Sequence, residues 1–221
     1  ENTPKDRKKR EEIIGKLQLQ IFTCLTEGDL QNAKKIYHTF LDANTLDQFY
    51  DNILNPALSK IGEMWSNGKL SVATEHVASN IAHSLVKIIS EEKKIKPKHG
   101  KIILTTPVGE EHSLSCSVIE SFLLNKGFIT YNLAPSTPAT SILSFIQTVS
   151  PDGIIISITL SDCIQSGQRL SKKIREFDKN IPIYVGGQAF KNGKKPKFEA
   201  TIINDYRELT QLPKLLKVRK K

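Results

Sequence analysis

Apolar residues recur at three- and four-residue spacing through the first ninety or so positions. Ile13, Ile14, Leu17, Ile21 and Leu25 form one stripe, and Leu30, Ala33, Ile36, Tyr37, Phe40 and Leu41 form the next. Such spacing lays the apolar side chains on one face of a helix. Gly28-Asp29 reads as a stop followed by a cap, and Asn44-Thr45 as a second break. A third helix is expected from Leu46 to Trp65, with Pro56 beginning its second half. Ser66-Asn67-Gly68 ends it, and Ser71 caps a fourth helix reaching about Lys93. Four helices with short connections predict a small bundle.

The period changes after the charged, proline-bearing stretch Lys93–His99. Short β-branched runs follow at Lys101–Thr105, Ile129–Leu133, Gly153–Ser157, Ile181–Val185 and Ala200–Ile203. Helical stretches lie between and after them, at Leu114–Lys126, Thr137–Val149, Gln165–Phe177 and Tyr206–Lys217. Strand–helix alternation implies right-handed crossovers and a buried parallel sheet. The expected fold class is therefore α/β with an all-α cap: a four-helix bundle over residues 1–94, then a flavodoxin- or Rossmann-like five-stranded parallel sheet over 100–221. In such sheets ligands sit at the carboxyl ends of the strands. Those ends fall at Thr106–His112, Ala134–Thr137, Ser157–Asp162 and Gly186–Phe190, where polar residues, glycine and proline collect.

Composition narrows the class. A chain of 221 residues, 38% hydrophobic and 25% charged, is neither wholly disordered nor collagen-like. No window holds enough uninterrupted apolar residues for a membrane span. Cys24, Cys116 and Cys163 are widely spaced and form no CxxC pair, so a disulfide scaffold or thiolate zinc site is not expected. A reducing, cytoplasmic setting is the expectation. The net charge of +9 is concentrated late, with ten basic and three acidic residues in 191–221. No nucleic-acid-binding signature accompanies that excess, which reads as a solvated basic tail.

Candidate chemistry begins at Glu110-Glu111-His112, directly after the first strand. A histidine at a strand tip with carboxylates one and two residues earlier suits a metal ligand or an acid–base group. Forty-one residues separate Ser115 from Ser157, and 26 separate Thr159 from Gly186-Gly187. This pattern resembles the base-off cobalamin-binding signature Asp-x-His-x-x-Gly, Ser-x-Leu, Gly-Gly. In the helical half, Trp65 is followed after nine residues by Glu75-His76. That resembles the Trp-x9-Glu-His motif of the CarH-type, adenosylcobalamin-dependent photoreceptor regulators. The resemblance covers roughly Asp29 to Phe190.

The resemblance implies a cofactor, adenosylcobalamin or another cobalamin, with its cobalt held from below by His112. Glu110 would orient the imidazole, and Ser115, Ser157, Thr159, Gly186 and Gly187 would line the slot for the displaced nucleotide tail. Trp65, Val72, Glu75 and His76 would cover the upper face, with a buried Glu75–His76 pair contacting an adenosyl group. Two departures stand out. Ser115 replaces the signature glycine and narrows the tail slot. Ser66 stands where light-responsive members carry a histidine that captures cobalt after photolysis; water, Ser66 through water, His76, His83 or no upper protein ligand are the alternatives.

Only charged residues, Lys5–Glu12, precede the first helical stripe, leaving no room for a DNA-binding fold. Direct DNA binding is thus not expected of this chain; either such a domain precedes it in a longer protein, or it signals through a homo-oligomer or a partner regulator. The expected function is a non-enzymatic cobalamin-binding sensor, most simply a photoreceptor. A corrinoid carrier for methyl transfer, a cobalamin-level sensor that does not use light, and a scaffold that has lost the cofactor are the alternatives. Cys116 and Cys163 are expected to be buried small hydrophobes rather than nucleophiles.

Overall fold

The computed structural model describes residues 4–92, 95–190, 196–203 and 208–209. The chain divides into two compact units, Glu1–Ile88 and Ile89–Lys221.

The first unit is helical. It comprises α1 (Pro4–Glu27), α2 (Leu30–Leu41), α3 (Leu46–Phe49), a π-helical turn (Tyr50–Leu54), α4 (Asn55–Ser66) and α5 (Val72–Glu92), the last continuing past the unit's boundary. Helix α1 begins earlier than the apolar stripe predicts. Its charged first turns continue the helix with Arg7–Glu11 and Glu12–Lys16 pairs one turn apart, where side chains of opposite sign support the backbone. Gly28 turns the chain with φ +81°. Asp29 then caps α2, its carboxylate accepting the Asn32 N–H at 2.9 Å. Thr45 and Gln48 form a reciprocal capping box at α3.

Helices α3 and α4 form the single run expected from the sequence, but with a wider turn inside it. Proline has no N–H to give the carbonyl four residues back; for Pro56 that carbonyl is Asn52. Gln18 of α1 supplies the missing donor, its Nε2 reaching the Asn52 oxygen at 2.7 Å. Asn55 meanwhile bonds back to Tyr50, the five-residue step of a π turn. Tyr37, Phe49, Tyr50, Ile53 and Leu54 are fully buried around this turn, with Tyr37 and Phe49 meeting edge to face at 5.2 Å between centroids.

The second unit is a doubly wound sheet. Its strands are β1 (Lys101–Thr105), β2 (Ile129–Asn132), β3 (Gly153–Ser157), β4 (Ile183–Gly186) and β5 (Thr201–Ile202). They lie in the order β2-β1-β3-β4-β5, and every adjacent pair is parallel. Helices α6 (Leu114–Asn125), α7 (Ala139–Val149) and α8 (Ile164–Phe177) make the crossovers. Strands buried on both faces read as continuous apolar runs. Thus Ile102 and Leu104 join Phe122 and Leu123 of α6 in one core, while Ile103, Ile154 and Ile156 pack with Ile142, Ile146 and Ile174 of α7 and α8 in the other. The first and third strands match their predicted bounds. The fourth is shifted, because Pro182 ends the loop before it, and the fifth is shorter. The helix expected at Tyr206–Lys217 and most of the basic segment 191–221 lie outside the described residues. Among the described residues, no helix is long and apolar enough to cross a membrane.

The order places β1 and β3 side by side in the middle of the sheet, with connections leaving toward opposite faces. A crevice opens between the carboxyl ends of such a pair. Beyond β3 the chain crowds itself. Ile158 donates to the Gly186 carbonyl at 2.9 Å, and a Cβ on Gly187, whose φ is +125°, would run into the Ile158 backbone. Gly187→Ala therefore combines backbone strain with overpacking, and is expected to lower stability by about 2–4 kcal/mol in urea titrations.

Candidate functional site

The loop after β1 carries Glu110 and His112, and three parts of the fold hold it. Thr106, which follows β1, donates its hydroxyl to the Glu110 carbonyl at 2.9 Å. Ser136, from the loop after β2, donates its backbone N–H to the same carbonyl at 3.1 Å. The Ser136 hydroxyl in turn accepts from the Gly109 N–H at 3.0 Å. The third tie is the Glu110 side chain. Its Oε2 accepts the N–H groups of Thr159 and Leu160, each at 2.8 Å, just beyond β3.

The other oxygen, Oε1, faces His112. It accepts the His112 backbone N–H at 3.0 Å and lies 2.7 Å from the imidazole Nδ1. Glu110 is fully buried. Burial alone pushes its carboxyl up. The hydrogen bonds from the His112 ring and from the N–H groups of Leu160, His112 and Thr159 outweigh that effect and hold it below its ordinary value of 4.5. A carboxylate has no proton to give, so Nδ1 carries the shared one, and Nε2 is the ring nitrogen with acceptor character. The His112 side chain is 37% exposed. Among the described residues, no three His, Cys, Asp or Glu side chains gather into a metal-binding group.

The other expected residues of this unit lie at the same sheet edge. Ser115, in the first turn of α6, and buried Ser157, at the end of β3, have their hydroxyls 2.6 Å apart. Thr159 takes part through its backbone. Gly186 ends β4 and Gly187 follows it, and both meet backbone rather than open space: a Cβ on Gly186 would sit 2.9 Å from the Ile203 carbonyl oxygen. Cys116 is buried, and its thiol is pushed up to about 12, first by burial and then by Glu120 and Glu110. It is no nucleophile at neutral pH.

In the helical unit, Trp65 stands near the carboxyl end of α4, and Val72, Glu75 and His76 occupy the first turns of α5. Ser71 caps that helix, its hydroxyl accepting the Thr74 N–H at 3.1 Å. Glu75 Oε1 accepts from the Ser79 hydroxyl at 2.6 Å, and Oε2 lies 3.0 Å from the His76 Nδ1. The expected pair is formed, but it is not buried: Glu75 is 16% exposed and His76 70%. Helix geometry explains the difference, because adjacent residues point about 100° apart. Val72, apolar and 56% exposed, lies one turn before His76. Burial pushes the His83 imidazole down, away from the protonated form.

Sequence reasoning missed Thr106, Ser136 and the Leu160 N–H. All three stand at strand ends flagged as ligand-side loops. The Leu160 contact spans 50 positions and goes through backbone, where residue type carries no signal.

Residues 17–90 match the family model described as the B12 binding domain. That match supports a cobalamin or corrinoid cofactor and leaves its upper group unspecified; the matched span contains Trp65, Val72, Glu75 and His76. The chain is 26% identical over 142 residues to the HTH-type transcriptional repressor CarH of Myxococcus xanthus, which covers 63% of this chain and 47% of that one. It is 21% identical over 186 residues to the trimethylamine corrinoid protein of Methanosarcina barkeri, covering 80% and 83%. The chain spans about half the length of CarH and of the related Myxococcus xanthus repressor CarA. Among solved structures, the Methanosarcina barkeri monomethylamine corrinoid protein superposes with a TM-score of 0.74 at 11% identity, over 90% of this chain and 97% of that one. That likeness is one of fold.

Glu110→Gln replaces an acceptor-only group with one that turns an amide toward N–H donors. It is expected to cost about 2–3 kcal/mol at pH 7. Because the folded carboxyl is held below its ordinary value of 4.5, its stabilisation is complete above that pH and is lost as pH falls through the folded value. Urea titrations from pH 7 to 3 should show the gap between wild type and variant closing toward acid.

Proposed function

We propose that this chain binds a cobalamin through His112 and acts as a sensor whose bound state is read by protein association. The observation that carries this reading is the Glu110–His112 contact of 2.7 Å, which supports Nδ1 as donor and Nε2 as the ligand atom. Carboxylate–histidine pairs orient metal-bound imidazoles and raise their basicity. Ser115, Ser157, Thr159, Gly186 and Gly187 flank the lower side of the group.

On the upper side we assign Trp65, Val72, Glu75 and His76. Val72 offers exposed apolar surface that a ligand would cover, and Glu75 offers a carboxylate already braced by Ser79. An adenosylcobalamin supplies, when bound, a cobalt–carbon bond that light breaks. Loss of the upper group would remove contacts to these residues, and only such a difference in contacts can shift a conformational equilibrium. The output would be association with a second copy or with a partner regulator. The Trp65-x9-Glu75-His76 pattern and the similarity to CarH support this reading.

A methyl-carrier role is the second reading. The similarity to the trimethylamine corrinoid protein, which extends over 83% of that protein, favours it.

Visible spectra with adenosylcobalamin, taken in the dark and after green light, separate the two. The sensor predicts a retained, histidine-ligated chromophore and a light-dependent change of mass on size exclusion. His112→Ala should abolish the histidine-ligated spectrum, and Glu110→Gln should weaken binding about 10–100-fold. Retention with no light-dependent change of mass would favour the carrier. Absence of a retained chromophore would overturn both.

A further inference from the structure

We propose that the sheet unit discriminates between corrinoids by their lower nucleotide, and prefers those that lack one. The inference rests on the reading of His112 as the lower cobalt ligand. A complete cobalamin must place its displaced nucleotide somewhere beside that ligand. In a doubly wound sheet the available space is the crevice at the β1/β3 switch point, and here two side chains bridge it. Ser115 reaches across from α6 to Ser157 on β3, and the two hydroxyls satisfy each other at 2.6 Å. Ser157 is buried beneath that bridge.

The neighbouring gap toward β4 is closed as well. Ile158 is fully buried. Its backbone lies against Gly187, its carbonyl accepts the Ala189 N–H at 3.2 Å, and its side chain presses on Gly167 of α8. Gly186 faces the Ile203 carbonyl. The glycines therefore accommodate the fold's own backbone. Entry of a nucleotide would have to break the Ser115–Ser157 pair and move Ile158.

The same histidine remains accessible beside this closed crevice. On diaquocobinamide, which has no nucleotide, the His112 Nε2 replaces one axial water, and that water leaves. On aquocobalamin it would have to displace the tethered base, whose effective concentration at the cobalt is high, and that base would then enter only by breaking the Ser115–Ser157 pair.

Absorbance titrations of the full chain with diaquocobinamide and aquocobalamin test this directly. The expected result is cobinamide binding at least about tenfold tighter, a preference of roughly 1.4 kcal/mol. Ser115→Gly, which removes both the side chain and its hydrogen bond to Ser157, should narrow the preference severalfold, and Ser115→Ala, which removes the hydrogen bond alone, should narrow it less. Thermal melts of both variants confirm folding. Equal or tighter binding of aquocobalamin by the wild type would overturn the inference while leaving His112 as ligand. No spectral change with either corrinoid, or changes that survive His112→Ala, would overturn the cofactor reading itself.

Discussion

The buried carboxylate of Glu110 is the constraint on which the rest of the sheet-edge site depends. Burying a charge is costly unless every acceptor position is used. Here both oxygens are engaged, by two backbone N–H groups from beyond β3 and by the backbone and ring of His112. One residue thus fixes the spacing of two strand ends and the tautomer of a histidine. The loop it anchors is also tied through its carbonyl to Thr106 and Ser136. Positioning of this kind comes from the scaffold, and it holds before any ligand arrives.

A second theme is the use of the same small residues for two ends. Serine and glycine at strand tips invite a ligand-based explanation, since they let a ligand approach the backbone. In this sheet they are consumed internally. Ser115 and Ser157 satisfy each other, Gly187 admits Ile158, and Gly186 admits Ile203. Motif spacing locates such residues, but their neighbours decide what the space they leave is for.

The fold was legible because its signals were periodic. The β1 and β3 runs are five residues of nearly continuous apolar sequence, and the helices between them repeat at helical spacing. The site was legible only in part. Glu110 and His112 are two positions apart, so their partnership shows in sequence. The Thr159 and Leu160 N–H groups that hold the carboxylate lie 49 and 50 positions away and reveal nothing by side-chain type. The burial assigned to His76 failed because a helix that hides Ala78 and Ala82 turns His76, two and six positions before them, to its opposite side. The early start of α1 was hidden because charged turns carry no apolar stripe, only i,i+4 complementarity.

The π turn at Tyr50–Leu54 has a consequence for how the helical unit can change. One extra residue in a helical turn rotates everything after it by about 100°. Trp65 lies eleven positions beyond the end of that turn, so its bearing is set by a bond it never touches, from Gln18 to the Asn52 carbonyl. Removing a single residue between Tyr50 and Asn55 would leave the local sequence around the indole intact and swing the ring to another side of its helix. The direction of this aromatic face is therefore encoded upstream, in a proline and a glutamine from two different helices.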